Sequence, residues 1–200
     1  MNSTRPVPPV WLMGLSNTTL GCSTGIIFFV MPQLMAARQV PELEIAAITA
    51  VASSAFFWCV FFAPILDVRF SRRWYATILA ALSGIAAATA ILSLHHLLVL
   101  QIAMVICGAA AILSSSALGG WLSNITPKEH KNPLSKWMNI ALFSGTGLTS
   151  AAGGEFVRRL PVIPAAILIG AISGGFDCRV VCPTRAVLIS REPGHLALVW

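Results

Sequence analysis

Charge is scarce in this chain. Of its 200 residues only 10% are Asp, Glu, Lys or Arg, whereas 56% are hydrophobic and the mean hydropathy is +0.81. A water-soluble domain carries about a quarter charged residues. This composition excludes an ordinary soluble fold and indicates a polytopic membrane protein. Regular alternation of polar and apolar residues is also missing from the long apolar runs, which excludes barrel strands and leaves helices. Paired cysteine spacing is missing too. Cys22, Cys59 and Cys107 sit inside apolar runs, while Cys178 and Cys182 lie near the C-terminus. That is no disulfide framework, and with His195 it makes an incomplete ligand set lacking zinc-type spacing. No metal or cofactor is expected. The net charge of +6 is spread over short connections, with no basic face interleaved with aromatics, so nucleic acid is not an expected partner.

Six runs are long or nearly long enough to cross a bilayer, which takes about 20 apolar residues. They cover roughly 10–35, 45–66, 74–94, 97–122, 137–156 and 160–176. The first is too long for the apolar part of a signal peptide, and the small residues after it make a poor cleavage site. It reads as a retained span behind a short N-terminus, 1–9. The expected fold is therefore all-α, a bundle of six transmembrane helices over 10–176.

The connections alternate in charge. One set holds Arg5, then Arg69, Arg72 and Arg73, then Lys128, Lys131 and Lys136, then Arg179, Arg185 and Arg191; the other holds Arg38, Arg158 and Arg159. Ten basic residues against three place both termini in the cytoplasm by the positive-inside rule. Trp11, Trp74, Trp121 and Trp137 all fall at the cytoplasmic ends of their spans, at headgroup depth. The small residues Gly21 and Gly25, Ala80–Gly84–Ala88, Gly145 and Gly147, and Gly170 and Gly174 read as helix-packing positions, because helices in lipid associate by close backbone approach. Pro32 and Pro64 are expected to kink or end their helices.

The connection between the second and third runs reads APILDVRFSRRWY, residues 63–75. Topology explains its arginines. It does not explain Asp67, a carboxylate at a membrane boundary, where a charge normally faces a partner. An aspartate closing a helix just before Arg69, Arg72 and Arg73 reads as a charge-paired latch. This stretch resembles the signature loop of the major facilitator superfamily, with Ala63, Asp67 and the basic residues Arg69, Arg72 and Arg73 in the matching places. The usual signature glycines are replaced, with Phe70–Ser71 in that region. The Pro64–Asp67 spacing, together with GGWLSNITPKEHKNPLSKWMNIALFSGTGLTSAAGG at 119–154, is similar to the branch holding muropeptide permeases and acetyl-coenzyme A transporters.

The resemblance covers roughly 10–175, one six-helix half of a family that normally has twelve helices. It implies a multi-pass permease of the cell's inner membrane that moves a small organic solute by alternating access, with a second six-helix half as partner and the lipid bilayer around it. It also implies that helices one, two, four and five line a central cavity. The candidates there are Asn17, Ser23, Thr24, Gln101, Ser115, Asn139 and Ser144. Two readings stay open for them, since Ser and Thr in lipid also satisfy backbone carbonyls or join helices.

No Asp, Glu, Lys or Arg lies in mid-span, which leaves this half without an intramembrane proton relay. Two other classes compete with a transporter. A six-span intramembrane serine protease needs a serine and histidine at one depth, but His95 and His96 fall in an outer turn and His130 in an inner loop. The second is a truncated or accessory membrane subunit without transport. Residues 177–200 favour truncation. The sixth run is short, Asp177 and Arg179 interrupt it, and the residues beyond them have neither helical period nor the polarity of a linker. The sequence is thus expected to be interrupted or frame-shifted near Gly175, leaving an atypical cytoplasmic tail.

Overall fold

The computed structural model describes residues 9–62 and 72–159. Among them there is no strand; the chain is a bundle of helices. The first span is built in pieces: α1 (Val10–Leu15), α2 (Thr18–Gly25), a π-helical turn (Ile26–Val30) and α3 (Met31–Ala37). Then come α4 (Glu42–Phe62), α5 (Arg72–Leu92), α6 (Leu97–Ile125), a 3₁₀ turn (Lys128–His130) and α7 (Lys131–Arg159).

Among the described residues four segments are long and apolar enough to cross a membrane: Val10–Ala37, Glu42–Cys59, Arg72–Leu92 and Leu97–Ile125. The expected second, third and fourth spans thus appear, with α5 beginning two residues before and α6 ending three residues after the expected limits. The expected fifth span falls on α7, a helix equal in length to α6, but the glycine, serine and threonine content of α7 leaves it less apolar, and it is not among the four. The sixth, 160–176, lies outside the described residues, as does the tail.

Both interruptions of the first span have local causes. At Ser16–Asn17 four polar residues follow one another, and Ser, Asn and Thr compete with the helix for backbone partners. Ser16 Oγ donates to Met13 C=O at 2.6 Å and Thr18 Oγ1 donates to Leu15 C=O at 2.6 Å. The carbonyls at the break are therefore satisfied by hydroxyls, as lipid requires. Farther on, Pro32 has no N–H to give to the carbonyl four residues back. Immediately before it the ladder slips by one residue, and Met31 N–H donates to Ile26 C=O, five residues back. This is a π-turn with an identifiable cause.

Packing follows small residues. A Cβ on Gly14 would strike Trp137, one on Gly21 would strike the Leu142 carbonyl, and one on Gly25 would stand 2.9 Å from Thr149 Cβ. From the other side, a Cβ on Gly145 would meet the Thr18 carbonyl at 3.0 Å. These glycines let the first span and α7 touch backbone to backbone, the close approach that drives association in lipid. The α5–α6 hairpin uses the same device, with Ala80, Ser83, Gly84, Ala87 and Ala90 buried against Ala103, Cys107, Ala110, Ala111 and Ser114.

The larger buried side chains form two clusters. Ile26, Ile27, Met31, Met35, Ile91, Leu100 and Met104 fill one end of the bundle. Met13, Leu118, Leu122 and Leu134 fill the other. Phe57, Trp58, Phe61, Ile78, Ile85, Leu98, Phe143 and Leu148 point outward, an apolar exterior that water would not tolerate and acyl chains would.

Candidate functional site

Arg72 and Arg73 open α5, and both meet the far end of α6. Arg72 lies along Gly120, where a Cβ would come within 2.9 Å of the guanidinium Cζ and 3.2 Å of Cδ. A larger residue at 120 would make the Arg72 side chain move. The Arg73 guanidinium carbon stands 5.9 Å from the centroid of the Trp121 ring, at the limit of a cation–π contact, roughly 0.5–1 kcal/mol when exposed. The arginines of the expected latch are thus seated on the Gly119–Gly120–Trp121 turn. Asp67 and Arg69, the other half of that expectation, lie outside the described residues. Trp74 and Trp137 are exposed at the same end and Trp11 is close by on α1, so the bundle has one end rich in basic residues and indole rings.

One helical turn deeper, Asn17 joins three helices. Its amide nitrogen donates to Met138 C=O on α7 at 3.2 Å, and its amide oxygen accepts from Ser115 Oγ on α6 at 2.6 Å. Asn17 is only 6% exposed, so both ends of a costly amide are matched. Asn17 and Ser115, both candidates for the cavity, meet here as a junction between helices. Ser23 makes a second junction. Its hydroxyl shares a 2.9 Å bond with Ser83 on α5, and Ser83 in turn reaches Cys107 C=O on α6 at 3.3 Å.

The other candidates are placed separately. Thr24 donates to Leu20 C=O and Ser144 to Ala141 C=O, each within its own helix. Asn139 is exposed and donates to Ser135 C=O at 3.0 Å. Gln101 is half-buried, one turn into α6, far along the helix from Ser115. An open groove of about 570 Å³ lies at the opposite end of the bundle between α3 and α4, lined by Pro32, Gln33, Ala36, Glu42, Thr49 and Ser53 among others, and it holds none of the expected cavity residues. Also at that end, an Arg38 guanidinium nitrogen stands 3.1 Å from His95 Nε2 and 3.3 Å from Nδ1, bridging the two neighbouring connections.

Three further polar residues link helices. Ser83 falls within the Ala80–Gly84–Ala88 stripe, where a lone hydroxyl among small residues was the available signal. Ser114 donates to Ala76 C=O at 3.1 Å, and Thr146 donates to Gly21 C=O at 3.0 Å. Each links two helices at a point of close backbone contact. Among the described residues no group of His, Cys, Asp or Glu is assembled to hold a metal. No family model matches the chain, and no curated protein matches it.

Proposed function

We propose that this chain is one six-helix half of a major facilitator-type transporter, which moves a small organic solute across the inner membrane by alternating access with both termini in the cytoplasm. The observation that carries this reading is a relation between helix contacts. The first span packs on α7, the fifth span; α6, the fourth span, packs on α4, the second. Exchanging span one with four and two with five turns one pairing into the other. One glycine contact is placed alike in the two pairings. Gly21 and Gly108 each lie eleven residues after the start of their span, at Val10 and Leu97. A Cβ on Gly21 would strike the Leu142 carbonyl on α7, and one on Gly108 would meet Phe56 at 3.2 Å and the Ala52 carbonyl at 3.7 Å on α4, as well as Ile27 of the first span at 3.2 Å. Three spans repeated after an odd number of crossings are inverted, and nested 3+3 inverted repeats build each half of a major facilitator transporter.

In this reading Asp67 and the arginines seated on Gly120 and Trp121 control switching, and substrate is held elsewhere. The solute is an organic molecule of undetermined class, and a second six-helix half completes the cavity. The experiment is uptake into liposomes by the chain co-reconstituted with a candidate second half, with binding followed separately. Asp67→Asn should slow uptake severalfold and leave ligand affinity within a fewfold. Loss of binding with switching intact would remove Asp67 from the latch. Saturable uptake by the purified monomer alone would overturn the half-transporter reading. An accessory subunit without transport is the alternative, and it predicts no uptake with any second half.

A further inference from the structure

We infer that the basic end of the bundle is a binding surface for anionic phospholipid headgroups. The inference rests on the membrane reading and not on transport. Helix dipoles make acidic residues favourable and basic residues unfavourable in a first turn. At the end bearing Arg38, α4 obeys this rule and opens with Glu42 and Glu44. At the opposite end the rule is reversed twice. The first turn of α5 begins Arg72–Arg73 and has no acid, and the first turn of α7 begins with Lys131 and has no acid, with Lys128 just ahead of it. Two helix N-termini and five basic side chains, counting Lys136, lie at this end beside the C-terminus of α6, with Glu129 the one acid among the described residues there. Lys128, Lys131 and Lys136 are all exposed, and none of them forms an ion pair among the described residues.

The positive-inside rule accounts for basic residues at this end, and in a membrane the group those exposed lysines face is an anionic headgroup. A second feature points to the same anion. Thr126 ends α6 two residues before Lys128 and is 5% exposed, and its hydroxyl is a buried side-chain oxygen without a hydrogen-bond partner among the described residues. A phosphate oxygen is the acceptor such a hydroxyl lacks. The surroundings favour a lipid phosphate over a free one, because exposed Trp74, Trp137 and Ile125 rim the surface, and indole rings with apolar neighbours sit at headgroup depth. Basic residues clustered at the cytoplasmic ends of spans are recognised by anionic lipid in this way.

The test uses the full chain in detergent, titrated with phosphatidylglycerol, phosphatidylcholine or inorganic phosphate, with lipid retention followed by native mass spectrometry and stability by thermal melting. Phosphatidylglycerol should be retained and should raise the melting midpoint, and added salt should weaken it. Lys128→Gln/Lys131→Gln/Lys136→Gln should lower its affinity about a hundredfold, at roughly fivefold for each lysine. Lys128→Gln alone, a milder surface change, should give about a fivefold loss. Arg38→Gln, at the other end, should leave the affinity unchanged. Equal retention of phosphatidylcholine, or a triple variant that binds phosphatidylglycerol as the parent does, would overturn the proposal. So would a shift reproduced in full by inorganic phosphate, which would make free phosphate the ligand.

Discussion

Gly21 shows how much rests on a missing side chain. No methyl can be added to its Cα without collision with the Leu142 carbonyl, and a carbonyl on a helix backbone does not swing aside. Gly147, one helix away, has nothing within 4 Å of the place a Cβ would occupy. The pair makes a controlled comparison. Gly21→Val should separate the first span from α7 and lower the melting midpoint sharply, a loss of several kcal/mol in the range of severe core lesions. Gly147→Ala should be neutral or slightly stabilising, since alanine favours helix by about 1 kcal/mol. A Gly21→Val protein that melts like its parent would show that the glycine contact does not hold the two helices together. Gly21 and Gly25 were legible in the sequence as packing glycines. Their partners were not, because spacing along one helix says nothing about which neighbour approaches it. The same limit explains Asn17. Its cost in lipid marked it, but only the fold shows that Ser115 and the Met138 carbonyl match it, so that the amide is taken up in joining helices.

The first span is an element whose length was readable and whose regularity was not. Hydropathy gives one run from Val10 onward, and the structure gives three helical pieces and a π-turn. The polar run at Ser16–Thr19 and Pro32 were both visible as irregularities. Their outcome depended on which carbonyls they left free and which hydroxyls lay within reach. The slip before Pro32 has a packing consequence, because it sets the rotation of α3 and so places Met31 and Met35, 0% and 1% exposed, in the core. Pro32→Ala restores the missing N–H and allows the ladder to close to four-residue bonds. Removing one residue of slip turns α3 by about 100° relative to α2. The expected result is a protein that melts lower, by about 1–3 kcal/mol, although a helix breaker has been removed. A higher melting midpoint would mean that packing and not Pro32 sets the register.

At the scale of the molecule, the bundle has two chemically different ends. Arg72, Arg73, Lys128, Lys131, Lys136 and the indoles of Trp74, Trp121 and Trp137 occupy one, and Arg38, His95 and His96 occupy the other. Composition and loop charge made this polarity readable before the fold was known, because it follows from chain order alone. The exchange relation among spans was not readable, since Gly21 and Gly108 sit in runs with otherwise different residues. With the basic end in the cytoplasm, single cysteines placed at Gln39 and His96 should react with a membrane-impermeant maleimide added outside intact cells. Cysteines at Lys128 and Lys136 should react only after the membrane is opened. The reverse pattern would invert the topology.

The outward ridge on α4 has an optical consequence. Phe57, Trp58 and Phe61 meet edge-on or tilted with centroids 5.8–6.0 Å apart, and Trp58 is 58% exposed beside exposed Phe57, Phe61 and Phe62. Its neighbour Cys59 lies against the Ala109 carbonyl in the middle of α6, so Trp58 is deeper in the bundle than Trp74, the third residue of α5. In a variant keeping Trp58 as its single indole, emission should be blue-shifted and strongly quenched by phospholipids brominated along the acyl chain, while iodide in the buffer should have little effect. A variant keeping Trp74 alone should show the opposite preference, emitting to the red and responding to iodide. Two indoles would then serve as depth gauges for one bundle, and any partner helix that settled on the α4 ridge would announce itself by shielding Trp58 from bromine.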